Sequence, residues 1–248
     1  MNPRTKRGLT SLKSASGVYP CYDVGVKVAA IVPALNEEAN VGTVLKVLLK
    51  SKDLNEVILV DDGSIDRTAE IGQKLGAKVI KLSKIGGSGK GNAMARGVES
   101  TDAGIIVFFD ADLIGLTQSH ISLLVRPVLE GRVGMCVGIR ERYAGLPKII
   151  AKIDPLLAIG GERAMKRYIF EALPKKFIRG FAVETALNYY CLKKKIPVRY
   201  VELKGLTVLI KEKKWGFLKG FRNRLKMIWQ LIKIRVLILM NRKEFKNV

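Results

Sequence analysis

The chain has 248 residues, 48% of them hydrophobic, with 44 Lys and Arg against 22 Asp and Glu and a single His, for a net charge of +22. That length and apolar content suit one sizeable α/β core, and no Pro- or Ser-rich linker divides it, which excludes a string of linked modules and leaves one catalytic domain to expect. The basic excess calls for an anionic partner, whether nucleotide diphosphate, phosphorylated acceptor, anionic lipid or nucleic acid.

Residues 1–26 scatter Lys and Arg among Ser, Gly and Thr without the apolar core of a signal peptide, and are expected to form a basic arm. Cys21, Cys136 and Cys191 are an odd number without metal-ligand spacing. Buried reduced thiols and a cytoplasmic protein are expected.

From residue 27 the chain alternates. Val28–Val32, Val57–Val60, Lys78–Leu82 and Ile105–Phe109 are short β-branched or apolar runs, each followed by a helix-capable segment, roughly 39–50, 66–75, 91–99 and 117–129. Such alternation predicts βαβ units and a mostly parallel, Rossmann-like sheet flanked by helices. The polar loops after the strands then share the carboxyl edge of one sheet, where open α/β folds bind ligands.

Those loops carry consistent chemistry. Asp61 and Asp62 can accept hydrogen bonds from a ribose or base edge, Gly63 permits a tight turn, and Ser64 or Asp66 can cap the next helix. Lys90, in a glycine-rich loop opening a helix, offers a point charge and backbone amides to an anion. Asp110 and Asp112, two residues apart where the fourth strand leaves the sheet, can hold a hard divalent cation against a diphosphate. A nucleotide-triphosphate P-loop is excluded, since Lys84 stands where its first glycine belongs and Gly91 where its hydroxyl belongs. A dinucleotide fingerprint is excluded as well, because Pro33–Glu38 occupies the loop after the first strand.

Pro33-Ala34-Leu35-Asn36-Glu37, Asp61-Asp62-Gly63-Ser64, Gly89-Lys90-Gly91 and Asp110-Ala111-Asp112, in this order and approximate spacing, resemble the motifs of family 2 glycosyltransferases with the GT-A fold. The resemblance covers about residues 27–210. Within the group the chain is similar to dolichyl-phosphate-mannose synthases and glucosyl-3-phosphoglycerate synthases, the second through Gly160-Gly161-Glu162-Arg163 and Gly180-Phe181-Ala182-Val183-Glu184. It implies Pro33, Leu35, Glu37 and Asp62 around a nucleoside, and Asp110 and Asp112 facing ribose, diphosphate and a Mg2+ or Mn2+ ion. It also implies Gly161, Glu162 and Arg163 at the acceptor.

The chain departs from the pattern at one point. Similar enzymes often complete the metal shell with a histidine after the last core strand, but Val208 or Leu209 stands there. Some offer a glutamine shortly after the Asp-x-Asp triplet, where this chain has Ile114, with Gln118 nearby. The shell expected here is Asp112 with diphosphate and water, which suits an ion that keeps several waters. The lone His120 is expected to be a solvated residue at a helix start, since it lacks a paired ligand spacing.

Arg140, Arg142, Arg163 and Arg167 follow the fourth strand and are candidates for phosphate recognition, with a solvated surface residue the favoured alternative for any single one of them. Glu162 and Glu184 are placed to act on sugar or acceptor. Glu184 is the stronger candidate, because its apolar surroundings desolvate it in a way that favours proton-transfer work. A core glutamate paired with a nearby Arg or Lys is the alternative.

The C-terminal stretch is strongly basic. Residues 193–248 hold 17 basic and 3 acidic side chains, a net of +14, and over 211–248 Leu218, Phe221, Leu225, Ile228, Trp229, Ile232, Val236 and Leu239 recur at helical spacing. Two roles fit: an interfacial helix on the cytoplasmic face of an anionic membrane, or a helix closing over the domain's own core. Nucleic-acid binding is disfavoured, since the aromatics lie on the apolar stripe.

The reading is a single GT-A-like domain, over 27–210, that transfers a hexose from a nucleotide-diphosphate sugar to a polyprenyl phosphate or a small phosphorylated metabolite. The alternative is a nucleotide-sugar-binding pseudoenzyme whose tail scaffolds a membrane assembly. A sugar nucleotidyltransferase is disfavoured, because its Gly-rich, Arg-containing loop should follow the first strand.

Overall fold

The computed structural model describes residues 25–83, 86–140, 161–178 and 182–208. The 1–24 part of the basic arm, Arg142, Gly160, Gly180, Phe181 and the 211–248 helix lie outside them.

The sheet grows from β1 (Val28–Ala34), with β2 (Glu56–Asp61) and β3 (Lys78–Lys81) on one side and β4 (Ile105–Phe108) on the other, all parallel. Beyond β4 come β7 (Arg163–Lys166), β6 (Met135–Arg140) and β8 (Val198–Leu203), giving a seven-stranded order β3-β2-β1-β4-β7-β6-β8. Only β7 runs antiparallel to its neighbours. The expected mostly parallel sheet is present, and the reversed strand inside it is what the sequence did not announce. Two short strands, β5 (Leu113–Ile114) and β9 (Thr207–Val208), pair separately as an antiparallel ribbon.

Helices cover both faces, and the period-two pattern of the strands decides which residues meet which layer. Ala29, Ile31, Ile58, Val60, Ile106 and Phe108 join one core cluster, with residues of α3 (Lys90–Glu99), α5 (Arg167–Glu171) and α6 (Ala182–Lys193). Val28, Ala30, Val32, Leu59, Val107 and Phe109 join the other, beneath α1 (Val41–Leu48), α2 (Thr68–Lys74) and α4 (Gln118–Leu129). Near-continuous apolar strands are what a sheet buried on both faces requires. Gly97 of α3 lets the helix sit down on β1: a Cβ there would lie 2.4 Å from Ile31 Cγ2.

The layering sends the ends of β1, β2, β3, β4 and β6 to one edge of the sheet. Because β7 is reversed, its entrance, Gly161-Glu162-Arg163, arrives at that same edge. Arg167 is carried to the opposite edge, where its guanidinium binds Glu171 Oε1 at 2.6 Å and the Thr101 carbonyl. Its assignment to phosphate recognition is therefore corrected. Cys136 and Cys191 are buried free thiols, as expected, with burial pushing both up to about 12.

Candidate active site

The loops after β1 and β2 are tied together before any ligand is considered. Asn36, at φ 55°, donates its N–H to Ser64 Oγ (2.9 Å) and accepts from Ile65 N–H through Oδ1 (2.9 Å). Asp61 Oδ1 accepts from Ser64 N–H at 3.1 Å, closing the turn at Gly63, whose φ of 86° is the left-handed geometry that favours glycine. The helix that follows has Arg67 at its N-cap, without the side-chain cap expected of Ser64 or Asp66; Asp66, one residue earlier, accepts from Thr68 N–H through Oδ1 at 2.9 Å.

Asp62 organises the glycine loop. Its Oδ1 accepts from Ser88 N–H (2.9 Å) and Ser88 Oγ–H (2.6 Å), and its Oδ2 from Gly89 N–H (2.8 Å). Gly87, at φ 91°, passes so close that a Cβ would lie 2.9 Å from Asp62 Oδ2 and 3.0 Å from Leu35 Cδ2. Leu35, Asp61, Asp62 and the loop before Lys90 are thus brought together, with Pro33 half-buried at the end of β1. Asp62 holds a loop in this arrangement, a partnership that motif spacing alone did not reveal.

Beyond that loop lies a chain of buried charges. Lys90, the first residue of α3, reaches Asp110 Oδ1 at 2.6 Å and stands 3.7 Å from Glu184 Oε1. Arg140, at the end of β6, donates Nη2–H to Asp110 Oδ2 at 2.7 Å and Nε–H to Glu162 Oε2 at 3.0 Å, and its Nη2 also binds Glu162 Oε1. Gly161 has room for no side chain, since a Cβ would come within 2.9 Å of Asp110 Oδ2. Arg163 is fully buried, with Nη1 donating to the Glu184 carbonyl at 3.3 Å and Nη2 lying 3.8 Å from Glu184 Oε2. That last oxygen is buried and has no hydrogen-bond partner among the described residues.

The two carboxylates of the Asp-x-Asp triplet have opposite surroundings. For Asp110, burial would raise the pKa, but Lys90 and then Arg140 outweigh it and hold the carboxyl down at about 2. Asp112 is pushed up, first by burial, then by Asp110 and Glu37, with Arg140 only partly opposing. Glu162 is also pushed up, by burial and by Asp110, against the pull of Arg140. Lys90 and Arg140 both stay above their ordinary values despite burial, because their acidic neighbours dominate.

Of the residues expected at the acceptor, Gly161 adjoins Asp110, while the Glu162 and Arg163 side chains are 0% exposed and are used within the protein. The sequence missed Arg140 as the link between Asp110 and Glu162. A strand ending in Arg beside an acidic loop was the available signal. His120 is not solvated: it is 6% exposed, and both its ring nitrogens are engaged. Gln118 donates to the Val47 carbonyl at 2.7 Å, which anchors α4 to α1. Among the described residues no three His, Cys, Asp or Glu side chains are arranged to hold an ion unaided.

An α/β sheet with acidic and glycine loops gathered on one edge defines a nucleotide-binding class of fold. Residues 29–185 match the profile of Glycosyl transferase family 2, and the chain belongs to that family. Glucosyl-3-phosphoglycerate synthase of Mycobacterium tuberculosis is 29% identical over 204 residues, which cover 69% of this chain and 62% of the relative. The crystal structure of the M. tuberculosis synthase with Mn2+, UDP-glucose and phosphoglyceric acid superposes with a TM-score of 0.65 at 27% identity, covering 78% of this chain and 75% of that one. The same synthase with Mg2+ and UDP superposes at 0.66, again at 27% identity over 78% and 75% of the two chains. The fold is therefore GT-A.

Proposed function

We propose that the protein transfers a hexose from a nucleotide-diphosphate sugar to a small phosphorylated acceptor, assisted by Mg2+ or Mn2+. The observation that carries this reading is the asymmetry at the carboxyl edge. Asp110 is neutralised by Lys90 and Arg140, while Asp112, two residues on and repelled by Glu37, has no ion-pair partner among the described residues and only the partial pull of Arg140. Hard oxygen donors with an unbalanced negative charge suit such an ion, with diphosphate and water supplying the remaining ligands. When bound, the ion would offset charge on the departing diphosphate. Lys90, at the helix start, would assist there, since it is already shared between two acids.

On this reading Pro33, Leu35, Glu37, Asp61 and Asp62 frame the nucleoside, Asp62 doing so by ordering the loop of residues 86–89. Asp110 would accept from ribose or sugar hydroxyls. Glu184 would offer Oε2, which has no donor among the described residues, to a hydroxyl of sugar or acceptor. Gly161 would bring the backbone of the acceptor end close against Asp110, with Glu162 and Arg163 bracing the wall behind it. The buried free thiols suit a cytoplasmic setting. The relatives' UDP-glucose and phosphoglyceric acid name the first substrates to try. They support a soluble phosphorylated acceptor, and nothing among them or the described residues supports polyprenyl phosphate, a membrane surface or the scaffold alternative.

The test is to incubate the full chain with UDP- and GDP-hexoses, manganese and phosphoglycerate, and to follow glycosylated product by mass spectrometry. Product formation that stops on chelation is the expected result. Nucleotide-sugar binding without turnover on any phosphorylated acceptor would sink the transfer reading.

A further inference from the structure

The lone histidine takes no part in the charge cluster, yet it is built into the protein from both sides. His120 lies in the first turn of α4. Thr117 Oγ1 accepts from His120 N–H at 3.4 Å, and Thr117 N–H donates to His120 Nδ1 at 3.3 Å, a reciprocal capping box. Since Nδ1 is an acceptor there, Nε2 carries the hydrogen, and it donates to the Lys204 carbonyl at 2.9 Å, 84 residues away in sequence.

Lys204 begins the turn between β8 and β9. From that turn β9 runs back to pair with β5, Val208 opposite Leu113 and Thr207 opposite Ile114. Leu113 directly follows Asp112. Among the described residues the ladder has two pairs, too few to hold it together, so something else must fix its register. Three features converge on it. Leu113, Leu116 and Leu206 are buried in one apolar cluster. Gly115 lies so near the second strand's turn that a Cβ would sit 2.5 Å from the Gly205 carbonyl oxygen. The third feature, and the only one of these three that is a directional side-chain bond, is the His120 tether.

We propose that His120 is a positioning residue for the Asp112 loop: by fastening the 204–206 turn to the start of α4, it holds β9 against β5 and thereby fixes the backbone from which Asp112 projects. The inference rests on the reading of Asp112 as the ion-binding carboxylate. It assigns to the histidine an indirect role, through the strand that follows Asp112, in place of ligation. A plain capping role for α4 is the competing account, and the two separate cleanly.

His120→Asn retains an oxygen able to accept from Thr117 N–H but is too short to reach Lys204, so it removes the tether and keeps the cap. Thr117→Ala removes the side-chain half of the cap and keeps the tether, and His120→Gln restores a reach and a donor. Amide hydrogen exchange over residues 113–116 and 205–208, measured without metal, and manganese affinity in the presence of UDP are the two readouts. For His120→Asn, exchange in both segments is expected to quicken about fivefold, as for loss of one net hydrogen bond, with a parallel weakening of manganese. Thr117→Ala should leave both at the parental level, and His120→Gln should recover them.

Parental exchange in His120→Asn, or equal changes in Thr117→Ala, overturns the tether. Faster exchange with manganese affinity unaltered also overturns the positioning role. If the natural protein takes up no manganese with UDP, the ion reading falls by itself, and the metal-free exchange arm still decides whether His120 holds the strand.

Discussion

Asp110 and Asp112 are separated by one alanine, yet the protein treats them as different chemical species. Asp110 has a cation on each oxygen, Lys90 on one and Arg140 on the other, and its carboxyl is held down at about 2. Asp112 is half-buried, is repelled by Asp110 and Glu37, and is pushed above its ordinary value. Neighbouring charge, and not spacing along the chain, sets what each carboxylate can do. The first is compensated on both oxygens; the second, among the described residues, has only the partial pull of Arg140 against its charge, which a divalent cation would relieve.

The contrast is broken most severely at Asp112. Asp112→Asn should weaken manganese binding in the presence of UDP by at least about a hundredfold, because it deletes a hard anionic ligand where even outlying partners of a metal site are worth 10–100-fold. Its melting temperature without metal should stay level or rise, since the substitution also removes repulsion. Calorimetric titration and thermal denaturation check both halves. Undiminished affinity would transfer the ion to another donor set.

On the compensated side the expected effect is on stability. Arg140→Met strands Glu162, which is 0% exposed and has both oxygens on that guanidinium. Breaking a buried pair from one side costs about 3 kcal/mol, moderated here because Glu162 can take up a proton. Adding Glu162→Met should recover most of the loss in urea denaturation. A double variant no more stable than the single would mean the pair is not energetically coupled.

The same division explains what was legible in the sequence. Strands β1 to β4 and helices α1 to α4 were readable within a few residues, because apolar runs buried on both faces and the helices between them are local patterns. The acidic and glycine motifs were readable because each follows its strand directly. The compensating half was not. Arg-Ala-Met-Lys over β7 has no strand-like alternation, and Arg163 is fully buried against the usual habit of arginine. Without β7 reversed between β4 and β6, neither the Arg140 bridge to Glu162 nor the removal of Arg167 to the far edge can be foreseen. His120 was misjudged for the same reason, since its partner is a backbone carbonyl 84 residues on.

Acid titration sharpens the comparison through its sign. Asp110 has a folded pKa of about 2, below its unfolded value of about 4. Its contribution is therefore complete above pH 4 and is lost as the pH falls through 2, on the order of 2 kcal/mol. Asp112 runs the other way. With its folded value raised, the folded state binds more protons just above the unfolded pKa, so that contribution declines as pH rises through the window. Urea denaturation in chelator between pH 2 and 6 should show a shallower acid loss in Asp110→Asn and a flatter decline on the alkaline side in Asp112→Asn. Slopes unchanged in both variants would contradict the assigned environments.

Glu184 tests the border between the two halves and should give the smallest effect. It shares Lys90 with Asp110, at 3.7 Å against 2.6 Å, and keeps one buried oxygen without a hydrogen-bond partner among the described residues. Glu184→Gln preserves shape and leaves Lys90 wholly to Asp110, so the compensated carboxylate should become more firmly held. Donor affinity is then expected to change little, while turnover falls by about tenfold or somewhat more, the pattern of a contact made chiefly in the transition state. Steady-state rates on UDP-glucose, alongside binding of UDP by calorimetry, distinguish this from a packing role. If turnover is unchanged, Glu184 is a core glutamate that balances Arg163 and Lys90. If turnover and UDP affinity fall together, its service is to the position of Lys90 at the diphosphate, and the free oxygen has no bearing on the reaction.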